Sequence, residues 1–491
     1  MVVRCMMYKG VRIFFLIFIF VISISFATIE YSQWDQYMGN PGRSAYIECK
    51  GPDFPEILWE SELPGYPEII TISDGQAIVL YRKENLPYPE TGIALIDVLT
   101  GIVREESLAG VTSLESVYPV QDILMGMTHG GWIYRIDPVS GEVKWDIKNP
   151  DTAYPDPEYM YPVILPDKII FPTHPVICRA VNDFNILWDL ESTQDSHIPY
   201  TGTTSIAASR KRVHIVLKTG NTSQLLTVKS DSGQLLWSKE LNLQNIVTNG
   251  PLLFGYQDTI YAWDAETGDL KWTYELESIN SNMLAGPDYV CVADDSHIFS
   301  LDTHSGVLLW KAQRGESSIN RKGLPIPSHI VGTNNSVIWS DIFDVTCFSP
   351  RDGSQLWNIH LQDSVDSRWQ NPCPAITEGI LIVNGKEHSD ALLAITSDPQ
   401  LFAQQGDAFL SRELPDKAVE SYKKASELYE RMGNHEKAQE MGEKISQLES
   451  SLEPIIPSKI QFLILPLSLI LGIVIISTFL YVFVIQKRSK N

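Results

Sequence analysis

The hydrophobic residues of this chain alternate with polar ones in short runs, and each run ends at a polar turn. In the cleanest run, Ile260-Tyr-Ala-Trp263 leads into Asp264-Ala-Glu-Thr267-Gly268, and Asp-Leu-Lys-Trp272 follows. Alternation over so few residues is typical of a half-buried β-strand. An Asp side chain can accept hydrogen bonds from the backbone of a turn, and glycine adopts positive φ without a Cβ penalty. The pattern therefore predicts two antiparallel strands joined by a tight turn, with Trp272 on the outgoing strand.

This phrase recurs along the chain at intervals of about 35–50 residues, which indicates a repeat architecture. Turn residues recur at Asp97, Gly101, Asp137, Gly141, Gly233, Asp302, Gly306 and Gly353. Tryptophans in the outgoing position recur at Trp59, Trp145, Trp188, Trp237, Trp310 and Trp357. So many tryptophans in one register predict a device that packs each repeat against its neighbour.

The intervals hold further short strands and no helical pattern, so each repeat is typical of one blade of a β-propeller. The ends of the array complement each other. Trp59 has no Asp–Gly turn before it, and the last repeat, 379–396, has no tryptophan after it. We therefore expect strand 54–63 to complete the last blade and close a ring of eight blades within residues 31–397. Closure also removes the exposed edge that the incomplete last blade would otherwise have.

The composition changes after residue 398, and residues 399–452 are rich in Ala, Glu, Lys and Leu. Small and aromatic residues follow one another there at the spacing of a tetratricopeptide repeat: Gly406, Phe409, Ala418, Tyr422 and Ala425. The sequence predicts three helices. Such repeats usually need several copies to stand alone, so the segment is interpreted as a stalk, as a body packed on the propeller, or as a docking site for a partner.

Both termini carry apolar segments. Residues 1–27 combine Arg4 and Lys9 with an apolar run, which predicts a signal peptide or an uncleaved signal anchor. After a linker at 453–459, residues 460–485 contain no charge and predict a transmembrane helix. The basic tail, 486–491, is expected in the cytoplasm. The chain is therefore expected to be anchored in the cell membrane with its bulk on the extracytoplasmic side.

The turn phrase resembles the repeat of the pyrroloquinoline-quinone (PQQ) family, Ala-x-Asp-x-x-Thr-Gly-x-x-x-Trp, which Asp264, Thr267, Gly268 and Trp272 match in full. Residues 34–44 also resemble the lead-in before the first blade of such proteins. The resemblance implies a quinoprotein-alcohol-dehydrogenase-like propeller. The PQQ family includes enzymes that hold a calcium-bound quinone in the central funnel. It also includes non-catalytic relatives such as the scaffold of the outer-membrane assembly machinery. The alcohol dehydrogenases typically stack the quinone on a disulfide of adjacent cysteines, and this chain has no Cys-Cys pair.

Composition and residue spacing limit the kinds of binding site and reaction that the sequence supports. A net charge of −22 argues against nucleic-acid binding, which needs a basic surface. We find no catalytic constellation and no metal-ligand spacing. The acidic pairs Asp294–Asp295 and Asp151 with Asp156 are interpreted as solvated turns, with calcium ligation as the alternative. The cysteines of the ectodomain are interpreted as buried small apolar residues, and a disulfide between Cys49 and Cys373 is the alternative.

The sequence thus favours a membrane-anchored extracytoplasmic propeller that binds a protein or saccharide as a scaffold and is not catalytic. No cofactor is expected, and the cofactor-binding residues are unknown. The alternative is an oxidoreductase resembling PQQ-dependent dehydrogenases, with PQQ and calcium in the funnel.

Overall fold

A computed structural model of the 491-residue chain describes residues 34–83, 90–106, 114–128, 132–138, 142–148, 161–173, 175–191, 202–220, 222–294, 296–313, 328–341, 343–361, 372–385 and 390–452. These residues form two compact units. The first ends at Asp398 and the second begins at Pro399.

The first unit is a ring of eight four-stranded antiparallel sheets, which confirms the predicted eight-bladed propeller. Blades 1 to 4 consist of β2 (Tyr66–Ser73), β3 (Gln76–Lys83), β4 (Glu90–Asp97) and β5 (Val103–Glu106); β6 (Leu114–Val120), β7 (Ile123–Thr128), β8 (Trp132–Ile136) and β9 (Val143–Lys148); β10 (Val163–Ile164), β11 (Lys168–Phe171), β12 (Ile177–Ala180) and β13 (Ile186–Asp189); and β14 (Gly202–Ala208), β15 (Arg212–Thr219), β16 (Thr222–Lys229) and β17 (Leu235–Glu240).

Blades 5 to 7 consist of β18 (Asn245–Asn249), β19 (Leu252–Tyr256), β20 (Thr259–Asp264) and β21 (Leu270–Glu275); β22 (Leu284–Ala285), β23 (Tyr289–Ala293), β24 (His297–Asp302) and β25 (Leu308–Gln313); and β26 (His329–Gly332), β27 (Val337–Ser340), β28 (Asp344–Phe348) and β29 (Gln355–His360). Within each blade the strands pair in chain order. The first strands contact one another from blade to blade and so surround the central channel, whereas the fourth strands form the rim.

Blade 8 joins the two ends of the propeller. It contains β30 (Ala375–Thr377), β31 (Ile380–Asn384) and β32 (Ala391–Thr396), and its fourth strand is β1 (Glu56–Glu62). Glu56 pairs with Thr396 and Glu62 with Ala391. The predicted closure strand therefore does complete the last blade, with bounds slightly inside the expected 54–63.

The core lies between the blades. Apolar side chains that alternate along the strands pack on those of the next blade. Leu80, Ile93 and Leu95 of blade 1, for example, pack against Leu114 and Val117 of blade 2. Five described cysteines lie in or beside this core, at Cys49, Cys178, Cys291, Cys347 and Cys373, and no disulfide joins any of them. The alternative of a Cys49–Cys373 disulfide is therefore wrong. The thiol of Cys373 lies 3.6 Å from the sulfur of Met38.

The second unit contains the three predicted helices, α1 (Pro399–Ser411), α2 (Pro415–Arg431) and α3 (His435–Leu452). A Cβ on Gly406 would lie 2.6 Å from the ring of Tyr422, so glycine lets α1 and α2 approach closely. The hydroxyl of Tyr422 donates to Asp407, whose Oδ1 also lies 2.9 Å from Nζ of Lys444. Phe409, Ala418 and Ala425 are buried in this unit.

No helix among the described residues has the length and hydropathy needed to cross a membrane. The predicted signal segment, 1–27, and the predicted transmembrane helix, 460–485, lie outside the described residues, as do the linker and the basic tail.

Candidate functional site

The predicted turn and tryptophan residues lie at separate junctions between blades and do not meet at one site. At the junction of blades 8 and 1, the ring of Trp59 lies against the turn that begins at Asp97. The Trp59 Nε1–H donates to the carbonyl oxygen of Val98 at 2.7 Å. A Cβ on Gly101, which has φ +69°, would lie 2.6 Å from the indole. Glycine at this position therefore serves both the turn and the contact with the next blade.

The same contact recurs around the ring, always from the fourth strand of one blade to the next blade. Four further indole N–H groups donate to carbonyl oxygens at 2.8–3.4 Å, in the pairs Trp188–Ser230, Trp237–Ala265, Trp272–Thr303 and Trp310–Pro350. The indoles of Trp237, Trp272 and Trp310 also cover Gly268, Gly306 and Gly353. Trp145 lies on β9 opposite Arg135. Asp137 begins the blade 2 turn, and Gly141 lies outside the described residues.

The turn carboxylates have a local structural role. Asp264 Oδ1 accepts hydrogen bonds from the N–H groups of Glu266 and Thr267. These bonds, with that of Thr267 the strongest influence, hold the pKa of Asp264 below its usual range. The hydroxyl and N–H of Ser305 do the same for the pKa of Asp302. Asp294 likewise accepts from the N–H groups of Ser296 and His297.

Three blades form the turn without the Asp–Gly pair at its usual positions. In blades 4 and 7 the turn begins at Lys229 and Ser349, whose carbonyls accept from the N–H groups of Gly233 and Gly353. In blade 3, Phe184 takes the place of the glycine with φ +57°. The backbone shape, rather than the carboxylate, is therefore what the repeats share.

The central channel is occupied at one end by the segment before the first blade, residues 34–53, which we call the lead-in. Its backbone bonds to the ends of first strands in the pairs Trp34–Ile72, Pro41–Ala208, Gly42–Thr248, Ser44–Ala285 and Ala45–Gly332. The side-chain amide of Gln36 bonds to both backbone groups of Ile164. The lead-in thus joins blades 1, 3, 4, 5, 6 and 7.

A cavity of about 370 Å³ lies beside the lead-in, where the first strands of blades 5, 6 and 7 begin. Tyr37 and Met38 of the lead-in form part of its wall. The rest is contributed by Gln244, Asn245, Tyr256, Ile279, Asn280, Ser281, Asn282, Ser328 and His329. This cavity is the candidate functional site, because concave sites at a propeller axis join side chains from several blades.

The position of Tyr37 is fixed by its neighbours. Its ring stacks on that of Tyr161 at a centroid distance of 3.9 Å, and Arg43 Cζ lies 5.7 Å from its centroid. The guanidinium of Arg43 donates to the carbonyl oxygen of Tyr161. Burial raises the pKa of Tyr37 well above its ordinary value and that of Tyr161 to about 12, so both phenols are neutral at physiological pH.

The described residues of the cavity do not fit a calcium-bound quinone. Calcium needs several oxygen ligands, commonly carboxylates, and the described wall contains no Asp or Glu. Nor does any group of three or more His, Cys, Asp or Glu among the described residues have the geometry to hold a metal. The described part of the wall also has no Lys or Arg to pair with an anionic cofactor. We therefore derive no step through the quinone.

Sequence reasoning did not find this cavity. Its wall comes from connections between blades, which lie outside the turn phrase. The lead-in motif, Trp34 to Ser44, is the one sequence signal near the cavity, and it assigns no role to Tyr37 or Met38.

Comparisons with known proteins agree with this architecture. The family model described as "Outer membrane protein assembly factor BamB" matches residues 223–395. No curated protein matches the chain. Among solved structures, BamB from Moraxella catarrhalis aligns at 12% identity and TM-score 0.48, covering 70% of this chain and 99% of that one.

Two other structures align with TM-scores above 0.5. The computationally designed Ika8 protein has 12% identity and TM-score 0.53, covering 70% of this chain and 99% of its own. Quinohemoprotein alcohol dehydrogenase from Comamonas testosteroni has 8% identity and TM-score 0.54, covering 74% and 80%. At such identities these likenesses show the fold alone. The chain is thus an eight-bladed β-propeller with PQQ-like repeats, similar over residues 223–395 to the BamB family and in fold to the quinoprotein dehydrogenases.

Proposed function

We propose that this chain is a membrane-anchored, extracytoplasmic propeller that binds partner proteins as a scaffold. The observation that carries the proposal is a row of exposed apolar side chains on the rim, which we call the rim row. It lies on or directly before the fourth strands of blades 3 to 8, and its side chains are 36–62% exposed: Ile186, Leu187, Leu235, Leu236, Leu270, Val307, Leu308, Leu309, Leu356 and Ile57.

The arrangement of the rim row favours a binding role. In the described propeller, every exposed large apolar side chain belongs to this row. Exposed apolar side chains that are concentrated on one part of a soluble domain can mark an interaction site. Each fourth strand pairs only with the third strand of its blade in the described chain, so its outer edge can pair with an added strand. An apolar, extended segment of a partner protein suits both features.

The match of residues 223–395 to the BamB model supports the scaffold interpretation, because that family is named for an assembly factor. The matched region includes blades 5, 6 and 7, which carry half of the rim row. The three helices are proposed as a tetratricopeptide-like element that spaces the propeller from the bilayer or adds a second docking surface.

Capture from membranes tests the scaffold proposal. The full chain is cross-linked in membranes and its partners are identified by mass spectrometry. A Leu235→Asp/Leu236→Asp variant should lose a partner that the wild type captures. Leu414→Asp is the control, because Leu414 is 36% exposed but lies outside the propeller. An identical partner set for all three proteins would contradict a binding role for the rim row.

Membrane anchoring is proposed from the charge-free segment 460–485 and the basic tail after it. Protease digestion of intact cells should remove a tag placed after Asp398 and leave a tag after Asn491 protected. Protection of both tags, or cleavage of both, would contradict the proposed topology.

The alternative, a PQQ-dependent dehydrogenase, gains support from the fold of the quinohemoprotein neighbour but not from the cavity wall. It requires bound PQQ and calcium, and the described cavity wall has no carboxylate to hold the calcium.

A further inference from the structure

The cavity beside the lead-in contains polar groups that the fold does not use. Ser328 is 3% exposed, and within the described chain its Oγ has no hydrogen-bond partner. A buried hydroxyl without a partner costs free energy, and a ligand in the cavity would remove that cost. A ligand in the cavity could therefore form a hydrogen bond with the Ser328 hydroxyl.

A second polar group lies across the same cavity. The Oδ1 of Asn245 accepts hydrogen bonds from Ser205 Oγ at 2.6 Å and from the Ile246 N–H at 2.8 Å. These bonds fix the carboxamide and leave its Nδ2 as the group available to a ligand. By contrast, Asn282 uses both ends of its amide on the backbone of Ile330 and is structural.

The remaining wall determines what kind of ligand suits these groups. Tyr37 presents an aromatic ring that is rigid because it stacks on Tyr161. Ile279 and Met38 add apolar surface, and no described wall residue is a Lys, Arg, Asp or Glu. A charged ligand group would be desolvated here without an Asp, Glu, Lys or Arg partner in the described wall, which is costly. A neutral ligand that combines hydroxyls, an amide and a small apolar group suits the cavity.

We propose that the central cavity binds a saccharide that carries an acetamido group, such as an N-acetylhexosamine. The acetamido methyl packs on Ile279 and Met38, the ring stacks against Tyr37, and Ser328 and Asn245 supply hydrogen bonds. A volume of about 370 Å³ suits one or two sugar units, since ligand pockets usually measure about 300–1,000 Å³. This binding is independent of the rim row and of any quinone.

The test compares three sugars that differ at one position: N-acetylglucosamine, glucose and glucosamine. The full chain is purified in a detergent without a sugar head group, and binding is measured by ligand-observed NMR and by tryptophan fluorescence. N-acetylglucosamine should bind at least threefold more tightly than glucose, which lacks the acetamido group, and than glucosamine, which is charged. Equal binding of all three, or no binding at millimolar concentrations, would overturn the proposal.

A pair of variants assigns the binding to the cavity. Ser328→Ala should weaken N-acetylglucosamine binding about three- to tenfold, the effect of one lost hydrogen bond, without lowering the melting temperature. Thr71→Val is the matched control, because Thr71 Oγ1 is also buried with no partner among the described residues but lies on the first strand of blade 1. Equal weakening in both variants, or in neither, would contradict the assignment.

The same chemistry is present in a free sugar and in the end unit of a glycan. Dimers and trimers of N-acetylglucosamine distinguish these sources. Affinity that rises with length identifies a glycan end as the ligand, and affinity that falls identifies the free sugar. Either result requires that Ser328→Ala weakens the better ligand, and an unaffected affinity in that variant would count against the cavity.

Discussion

The indole N–H of Trp357 donates a hydrogen bond to the carbonyl oxygen of Pro52 at 3.0 Å, across 305 residues of sequence. At the five other junctions where an indole N–H donates in the described chain, the acceptor belongs to a turn between the third and fourth strands. Blade 8 has no such turn, because its third and fourth strands come from opposite ends of the propeller. Pro52 of the lead-in provides the acceptor instead, so the ring closes both through strand pairing and through this indole.

This contact predicts a large effect of Trp357→Ala. The variant loses a buried aromatic ring and its hydrogen bond, and its free energy of unfolding should fall by about 3–5 kcal/mol. Leu356→Ala, next to it but 46% exposed, should cost less than about 1 kcal/mol. Denaturant unfolding followed by circular dichroism measures both. Similar losses in the two variants would show that the indole contact is not special.

Removal of the closure strand should affect the whole propeller. Deletion of residues 54–63 removes β1 and with it Trp59, so blade 8 has an open edge and blade 1 loses its contact at Val98. We expect loss of cooperative unfolding and exposure to protease throughout the propeller. Deletion of residues 436–452 removes most of α3 only, and limited proteolysis should then leave the propeller intact.

The turn glycines differ in what a methyl group would meet. Gly101→Ala places a Cβ 2.6 Å from the Trp59 ring at φ +69°, so it combines backbone strain with a clash. Gly250→Ala at φ +58° meets no atom within 4 Å and carries the strain alone. Strain costs about 1–2 kcal/mol. Gly101→Ala should therefore lower the melting temperature clearly more than Gly250→Ala does. Equal shifts would remove the clash from the explanation.

The buried imidazole of His214 predicts a pH dependence of stability. Its Nδ1 lies 2.8 Å from Thr227 Oγ1, and burial lowers its pKa to about 3 from an ordinary 6.5. Above pH 6.5 the ring is neutral in both the folded and the unfolded chain, so its titration does not lower the free energy of unfolding. As the pH falls below 6.5, the unfolded chain binds a proton that the folded chain does not, so stability is lost.

The loss should reach roughly 2–3 kcal/mol by pH 4.5. Unfolding free energies measured between pH 7 and 4.5 should show this slope in the wild type. The double variant His214→Leu/Thr227→Val removes the imidazole and the hydroxyl that it contacts, and its slope should be smaller. An unchanged slope would assign the dependence to other groups.

The ring could be predicted from sequence because its determinants are local and repeated. The glycine and tryptophan spacing fixes a turn and a contact in each of blades 4 to 7, and the mismatch between Trp59 and the last repeat locates the closure. The position of Phe184, by contrast, contradicts the glycine rule, since blade 3 accepts positive φ at a large residue. There the packing of the blade determines the backbone, and no pattern in the sequence indicates it.

The cavity could not be predicted in the same way. Tyr37, Asn245 and Ser328 are distant in sequence and meet only because the lead-in crosses the channel and the blades curve around it. Polar residues such as Ser328 occur throughout the connections between blades, and the sequence does not show which of them is buried with no hydrogen-bond partner in the described structure. Contacts of that kind depend on the closed ring as a whole.

The proposed scaffold function and the alternative of a quinone-dependent dehydrogenase differ in whether the chain binds PQQ. The most direct test adds PQQ and calcium to the purified full chain and follows tryptophan fluorescence, melting temperature and the oxidation of alcohols and sugars. For a scaffold without a quinone we expect no saturable fluorescence change, no rise in melting temperature and no turnover. A tightly bound cofactor at 100-fold excess over its Kd would stabilise the fold by about 2.7 kcal/mol. A stabilisation of that size together with substrate oxidation would contradict the proposed scaffold function and support the dehydrogenase.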